Sequence, residues 1–223
     1  MLVKIKRQST PNSEPYWQSF TYDGNGHVTV SAVIDALNYT DDLFDSEGNP
    51  APRIRWECSC MQAVCGGCAM IINGVPALAC STFIDEIKGK DLVLEPLSKF
   101  PVVADLVVDR SVIYENLNNA KAYLDNIAIS KNKHHKQQYS VAKCLKCGLC
   151  LEVCPNYHPG GAFFGAVLAN ESYLISSQSQ NKSEIIKEYK KHFGANCSKA
   201  LSCQTVCPAQ IETITSIMRM NRK

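Results

Sequence analysis

Seven cysteines between residues 144 and 207 carry chemistry that the rest of the chain must position. They fall as Cys144-x2-Cys147-x2-Cys150-x3-Cys154-Pro155 and, after a 42-residue gap, as Cys197-x5-Cys203-x3-Cys207-Pro208. Thiolates at i, i+3 and i+6 wrap one iron–sulfur cluster, and the fourth cysteine, before proline, reaches a second. Two four-iron cubanes need eight such ligands, and the second run has Ala200 where its second cysteine would stand. An alanine methyl cannot bind iron, so one cluster lacks a corner. The spacing assigns a [4Fe–4S] centre to Cys144, Cys147, Cys150 and Cys207, and a [3Fe–4S] centre to Cys154, Cys197 and Cys203. Structural zinc would instead show two close cysteine pairs with a wide gap between them. Disulfides would need an oxidising compartment, to which nothing in the chain points.

A second pattern lies upstream, Cys60-x4-Cys65-x2-Cys68-x11-Cys80. This is the plant-type [2Fe–2S] spacing, and Gly66-Gly67 would let the backbone turn around the cluster and offer N–H groups to its sulfurs. Cys58 does not fit the spacing and reads as a free thiol in the core or beside the cluster. Eleven of the twelve cysteines are then ligands.

The elements that must hold these ligands differ between the two halves. Residues 2–7 and 16–22 alternate as strands, and the turn at 23–26 separates them from a further extended piece at 28–30. Val30, Val33, Ile34 and Leu37 follow at helical spacing, with Ser31 as N-cap. Asn73-Gly74 marks a tight hairpin between 69–72 and 76–79, whose far arm delivers Cys80, and 91–95 is another short strand. Strands around one helix make a small α+β domain ending near residue 98, with 96–101 (PLSKFP) as the boundary. Beyond it the reading is helical. Apolar positions from Ala104 through Val107, Val108, Val112 and Ile113 to Leu124 predict one or two helices. Residues 131–139, including His134 and His135, read as a solvated basic loop. A helix spans Ser183 to Phe193, with Ser183 as N-cap and Gly194 past its end, and a last helix starts at Pro208. The stretch from Asn156 to Gly165 is rich in glycine and aromatics and reads equally as a buried turn or as a docking surface.

Composition excludes several function classes. Lys+Arg less Asp+Glu is 23 − 21 = +2, which leaves no electrostatic footprint for nucleic acid. No phosphate loop, dinucleotide fingerprint, nucleophile motif or defensible carboxylate pair is present. The N-terminus has no apolar stretch of signal-peptide length, and the longest apolar run, 160–169, is too short to cross a bilayer. Metal sites without a substrate site point to electron transfer by a soluble or peripheral protein in a reducing compartment.

Three clusters in this order resemble the iron–sulfur subunit of succinate dehydrogenases and fumarate reductases. The resemblance covers nearly the whole chain and extends to residues 56–74 (WECSCMQAVCGGCAMIING) and 99–110 (KFPVVADLVVDR). Both stretches look closest to the Gram-positive-type form that pairs with a di-haem cytochrome b subunit. The resemblance implies an α+β fold class: a β-grasp plant-type ferredoxin domain over 1–98, then an all-α bacterial-type ferredoxin domain over 99–223 with the other two clusters. It also implies an FAD-containing flavoprotein partner, a membrane-anchor cytochrome b subunit with haem b, and menaquinone or another quinone near the [3Fe–4S] centre. The expected place is the cytoplasmic face of the bacterial inner membrane, held peripherally by the anchor. The chain departs from the family where several members carry a Trp after the first run and a His after the first cysteine of the second. Here those places read Tyr157-His158-Pro159 and Ser198, and the segment between the runs is shorter. The alternative these departures keep open is a related soluble reductase of fumarate or another enoate with a non-quinone donor. A polyferredoxin or iron–sulfur sensor without a flavoprotein partner is the reading furthest from the family.

Overall fold

The computed structural model describes residues 1–128 and 135–222. The chain divides into two compact units, Met1–Asp109 and Arg110–Lys223.

The first unit is built on a five-stranded mixed sheet in the order β2-β1-β5-β3-β4. The strands are β1 (Leu2–Arg7), β2 (Tyr16–Thr21), β3 (Ala69–Ile72), β4 (Val75–Leu78) and β5 (Leu92–Glu95). β1 runs antiparallel to β2 and parallel to β5, and β3 is antiparallel to both β4 and β5. Alternation decides which side chains enter the core: Val3, Ile5 and Arg7 of β1 are buried while their neighbours are half-exposed. The β3–β4 turn holds Asn73 at φ 46° and Gly74 at φ 79°, the two left-handed positions that an Asn-Gly hairpin requires. Helix α1 (Val30–Asn38) buries Val30, Val33, Ile34 and Leu37. Its cap is Thr29, whose hydroxyl accepts from the Ala32 N–H at 3.2 Å, and not Ser31, which hydrogen-bonds to Thr29. The extended piece expected at 28–30 shrinks to a single bridge, Thr29 to Phe83, because the helix already begins at Val30.

Residues 99–109 also belong to this unit, and one buried ion pair explains why. Arg7 points inward with its side chain 2% exposed, and its Nε lies 2.9 Å from Asp105 Oδ1. The guanidinium also donates to Gln18 Oε1 at 2.8 Å and to the Pro52 and Arg53 carbonyls at 3.0 Å. Asp105 in turn accepts the backbone N–H groups of Gln8 and Arg55. A buried charge needs this degree of satisfaction. The segment read as the start of a helix is therefore a two-strand ribbon, β6 (Val102–Ala104) and β7 (Val107–Val108), turning at Asp105 with φ 46°. Leu97 and Phe100, in the stretch read as the domain boundary, are buried within the same unit.

The second unit is helical, with α2 (Ser111–Asn119), α3 (His135–Ala142), α4 (Leu149–Glu152), α5 (Gly165–Ser176), α6 (Lys182–His192), α7 (Ser202–Thr205) and α8 (Thr213–Met220). The α+β expectation, a sheet domain followed by a helical one, agrees with this architecture. Helix α5 is the hub: Gly165 to Tyr173 are all buried, and α2, α3, α4, α6 and α8 pack on it. A helix buried on every side is apolar all round, which makes its polar residues Asn170, Glu171 and Ser172 conspicuous. Gly165 is required at its start, since φ is +72° and a Cβ would come within 2.3 Å of Leu151 Cδ2. Of the basic loop expected at 131–139, residues 131–134, including His134, lie outside the described residues. The remainder opens helix α3, which buries Gln138 and Val141 and sends Gln138 Nε2 to Ser177 Oγ at 2.7 Å. Two helix starts also differ: α6 is preceded by Asn181 without a side-chain cap, and α8 begins at Thr213 and not at Pro208.

Candidate metal centres

In the first unit, Cys60, Cys65 and Cys68 lie on the loop that leads into β3, and Cys80 sits in the short 3-10 turn Ala79–Ser81 after β4. The sulfurs of Cys68 and Cys80 are 3.3 Å apart. The loop curls through three left-handed residues, Met61 at φ 53°, Ala63 at 58° and Gly66 at 78°, which turn its amides toward the thiols. The Gln62 N–H reaches Cys60 Sγ at 3.4 Å and the Ala63 N–H reaches Cys80 Sγ at 3.3 Å. Amide donation from Gln62, Val64 and Cys65, with a Cys65 thiol bond, brings Cys60 down to about 7, while burial pushes Cys68 up to about 12. Only Gly66 needs the freedom of glycine, because a Cβ on Gly67 would make ordinary contacts. Cys58 is exposed, which removes the core reading of that thiol.

In the second unit, Cys144, Cys147, Cys150, Cys203 and Cys207 line one cavity. Burial pushes the Cys150 thiol well above its ordinary range, and its neighbours Cys147, Cys144, Cys203 and Cys207 add to this. Burial likewise raises Cys147, with Cys207 as the thiol that adds to it. Cys203 rises to about 11, through burial and then through Cys154 and Cys197. The fold thus brings the tail of each run to the body of the other.

The two runs share one backbone. Lys146 (φ 52°) and Gly148 (φ 87°) in the first correspond to Lys199 and Leu201, both at φ 58°, in the second. A four-residue helix follows each, α4 and α7. Their hydrogen bonds match: the Leu151 and Glu152 amides donate to Gly148 O, and those of Gln204 and Thr205 to Leu201 O. Next, Cys154 N–H donates to Leu151 O and Cys207 N–H to Gln204 O. Ala200 therefore stands where the first run has Cys147, a side-chain difference on a shared local geometry.

The residues fit iron–sulfur clusters. Among the described residues, no three His, Cys, Asp or Glu side chains converge as they would on a single ion. The donors are soft thiols gathered around one cavity, a donor set suited to iron–sulfur clusters. Buried thiols with raised pKa values must release protons on binding metal.

Spacing does not reveal the polar groups beside the cavity. Lys146 lines it, and its Nζ lies 2.6 Å from Glu171 Oε1. Burial opposes the Lys146 ammonium, but Glu171 outweighs it and the lysine pKa lies above its ordinary value. Asn170 also lines the cavity and donates from Nδ2 to Thr213 Oγ1 at 3.1 Å. The only trace of these in the sequence is the polar triplet 170–172 inside an apolar run. Of the stretch open to two readings, Tyr157, Phe163, Phe164 and Gly165 are buried, Asn156 is half-buried and 158–162 is exposed.

Residues 2–115 match the family described as a 2Fe-2S iron-sulfur cluster binding domain, and residues 140–211 match a 4Fe-4S dicluster domain. The chain is 30% identical to the succinate dehydrogenase iron-sulfur subunit of Bacillus subtilis, over 98% of this chain and 90% of that one. It is 29% identical to the fumarate reductase iron-sulfur subunit of Haemophilus influenzae, over 97% and 90% of the two chains. A chain of the Mycobacterium smegmatis Sdh1 complex in the apo form shares the fold, with a TM-score of 0.73 at 21% identity over 98% of this chain and 94% of that one. With cluster-binding families matched in both halves and relatives aligned along almost its full length, the chain belongs to the family of succinate dehydrogenase and fumarate reductase iron–sulfur subunits.

Proposed function

We propose that this chain conducts electrons between an FAD-containing flavoprotein subunit, which interconverts succinate and fumarate, and a quinone. Cys60, Cys65, Cys68 and Cys80 hold a [2Fe–2S] cluster. Cys144, Cys147, Cys150 and Cys207 hold a [4Fe–4S] cluster, and Cys154, Cys197 and Cys203 hold a [3Fe–4S] cluster. When bound, the clusters supply one-electron transfer. The chain's own residues supply thiolate ligands, amide donors that stabilise sulfur charge, and a buried setting that shapes the potentials. The observation that carries this reading is the matched backbone of the two runs, with Ala200 in the place of Cys147. A centre missing one iron corner suits the quinone end of the path, since three-iron clusters take electrons readily. The partner at that end is a membrane-anchor cytochrome b subunit with haem b, which holds the chain at the cytoplasmic face of the inner membrane.

Low-temperature EPR with a redox titration, on the complex isolated anaerobically from its native membrane, tests this reading. The expected result is a three-iron signal when oxidised, with [2Fe–2S] and [4Fe–4S] signals on reduction. Two four-iron signals and no three-iron signal would overturn it.

A second reading has one observation in its favour. The exposed part of the stretch after the first run is His158-Pro-Gly-Gly-Ala162, while Phe163 and Phe164 are buried. A soluble reductase of fumarate or another enoate, with a non-quinone donor, suits such a surface. Recovery of the complex from the soluble fraction after gentle lysis would favour it.

A further inference from the structure

The ion pair between Lys146 and Glu171 has no part in ligating a cluster, yet its lysine borders the cysteine-lined cavity. Lys146 is two residues past Cys144, in the left-handed conformation that turns the chain around the cavity. Its Nζ sits 2.6 Å from Glu171 Oε1 and 3.5 Å from the Cys144 carbonyl oxygen. The Glu171 side chain is 8% exposed on the central helix α5, and the Lys146 side chain is 22% exposed. Lys146 lines the cavity and Glu171 does not, and the two charges act on the Cys144 thiol in opposite senses, the lysine favouring its thiolate and the carboxylate opposing it. Lys199, at the equivalent place in the second run, is exposed and has no acidic partner among the described residues. A charge in water is screened; a charge in the interior is screened much less.

We propose that Glu171 is a positioning residue that holds the Lys146 ammonium against the four-cysteine centre, and that this pair sets the centre's reduction potential. The proposal rests on the reading that Cys144, Cys147, Cys150 and Cys207 hold a cluster. One-electron reduction adds a negative charge there. A fixed cation at the cavity wall stabilises the reduced form and raises the potential, and the carboxylate behind it damps that effect. The pair therefore holds the potential below what the lysine alone would impose and above what an uncharged wall would give.

The test is an anaerobic redox titration of the intact complex from its native host, following the reduced [4Fe–4S] EPR signal and the iron content. Lys146→Met should lower the potential and Glu171→Gln should raise it, with iron content unchanged. The double variant should fall between the two, and Lys146→Arg, which keeps the charge, should stay close to wild type. A merely structural role moves all variants the same way or not at all, and that result would overturn the proposal. If Glu171→Gln loses its cluster, the double variant still decides: its potential must lie above that of Lys146→Met, and equality overturns the proposal. A wild-type complex without any [4Fe–4S] signal would instead sink the ligand assignment beneath it.

Discussion

The two cysteine runs of the helical unit follow the same path and differ in what fills it. Left-handed residues fall at matching places, the helices α4 and α7 match, and so do the amides that close them. The first run is sunk into the unit, with Cys147, Gly148 and Leu149 buried and Leu151 packed against the start of α5. The second has an exposed shoulder, Ser198 to Ala200. A shared backbone with Ala200 in the place of Cys147 puts the difference between the runs in their side chains, while the path of the chain stays constant. Unequal burial gives each centre its own electrostatic surroundings.

The largest effect that could break this comparison is expected from Cys207→Ser. Crossed ligation predicts near-complete loss of the [4Fe–4S] signal with the three-iron signal retained, although Cys207 lies next to the three-iron ligands in sequence. Loss of the three-iron signal alone in EPR would show that each run serves its own cluster. Ala200→Cys comes next: it should complete the second run, replace the three-iron signal with a four-iron one and lower that centre's potential. An unchanged spectrum would show that Ala200 is not the open corner. Gly165→Ala tests how tightly the first run is packed, since its Cβ would meet Leu151 within 2.3 Å at a left-handed φ. Overpacking of this kind costs about 1–3 kcal/mol, which should appear as a lower urea midpoint for the unit. The smallest effect separates Gly148 from Leu201. Gly148→Leu should cost about 1–2 kcal/mol, the strain of a side chain in the left-handed region, whereas Leu201→Gly should be close to neutral as relieved strain offsets lost burial. Equal costs in denaturant unfolding would mean that the two turns are not equivalent.

The two cluster-binding halves were legible in the sequence because cluster chemistry demands fixed separations, and fixed separations survive as spacing. The hairpin at Asn73-Gly74 was legible for a similar reason: only certain residues tolerate both of its dihedrals. Val107 and Val108 were misread as helical because a short apolar run fits either period, and what decides it is Asp105 turning the chain to meet Arg7. Helix α3 was missed because its buried residues, Gln138 and Val141, give almost no apolar stripe. Thr29 and Ser31 are both good caps, and the choice rests on which hydroxyl reaches an amide. Lys146 and Glu171 are 25 positions apart and meet only because α5 passes behind the first run.

The Arg7–Asp105 contact has a consequence for how the chain is made. The first strand emerges from the ribosome carrying a guanidinium whose carboxylate partner is synthesised nearly a hundred residues later. β5, which flanks β1 in the sheet, is also late. Folding of this half therefore cannot run element by element behind synthesis. Contacts of such long sequence separation carry a loop-closure cost that slows folding. A nascent chain stopped near residue 98 would have all four cysteines of the plant-type pattern and still lack the counter-ion for its innermost cation.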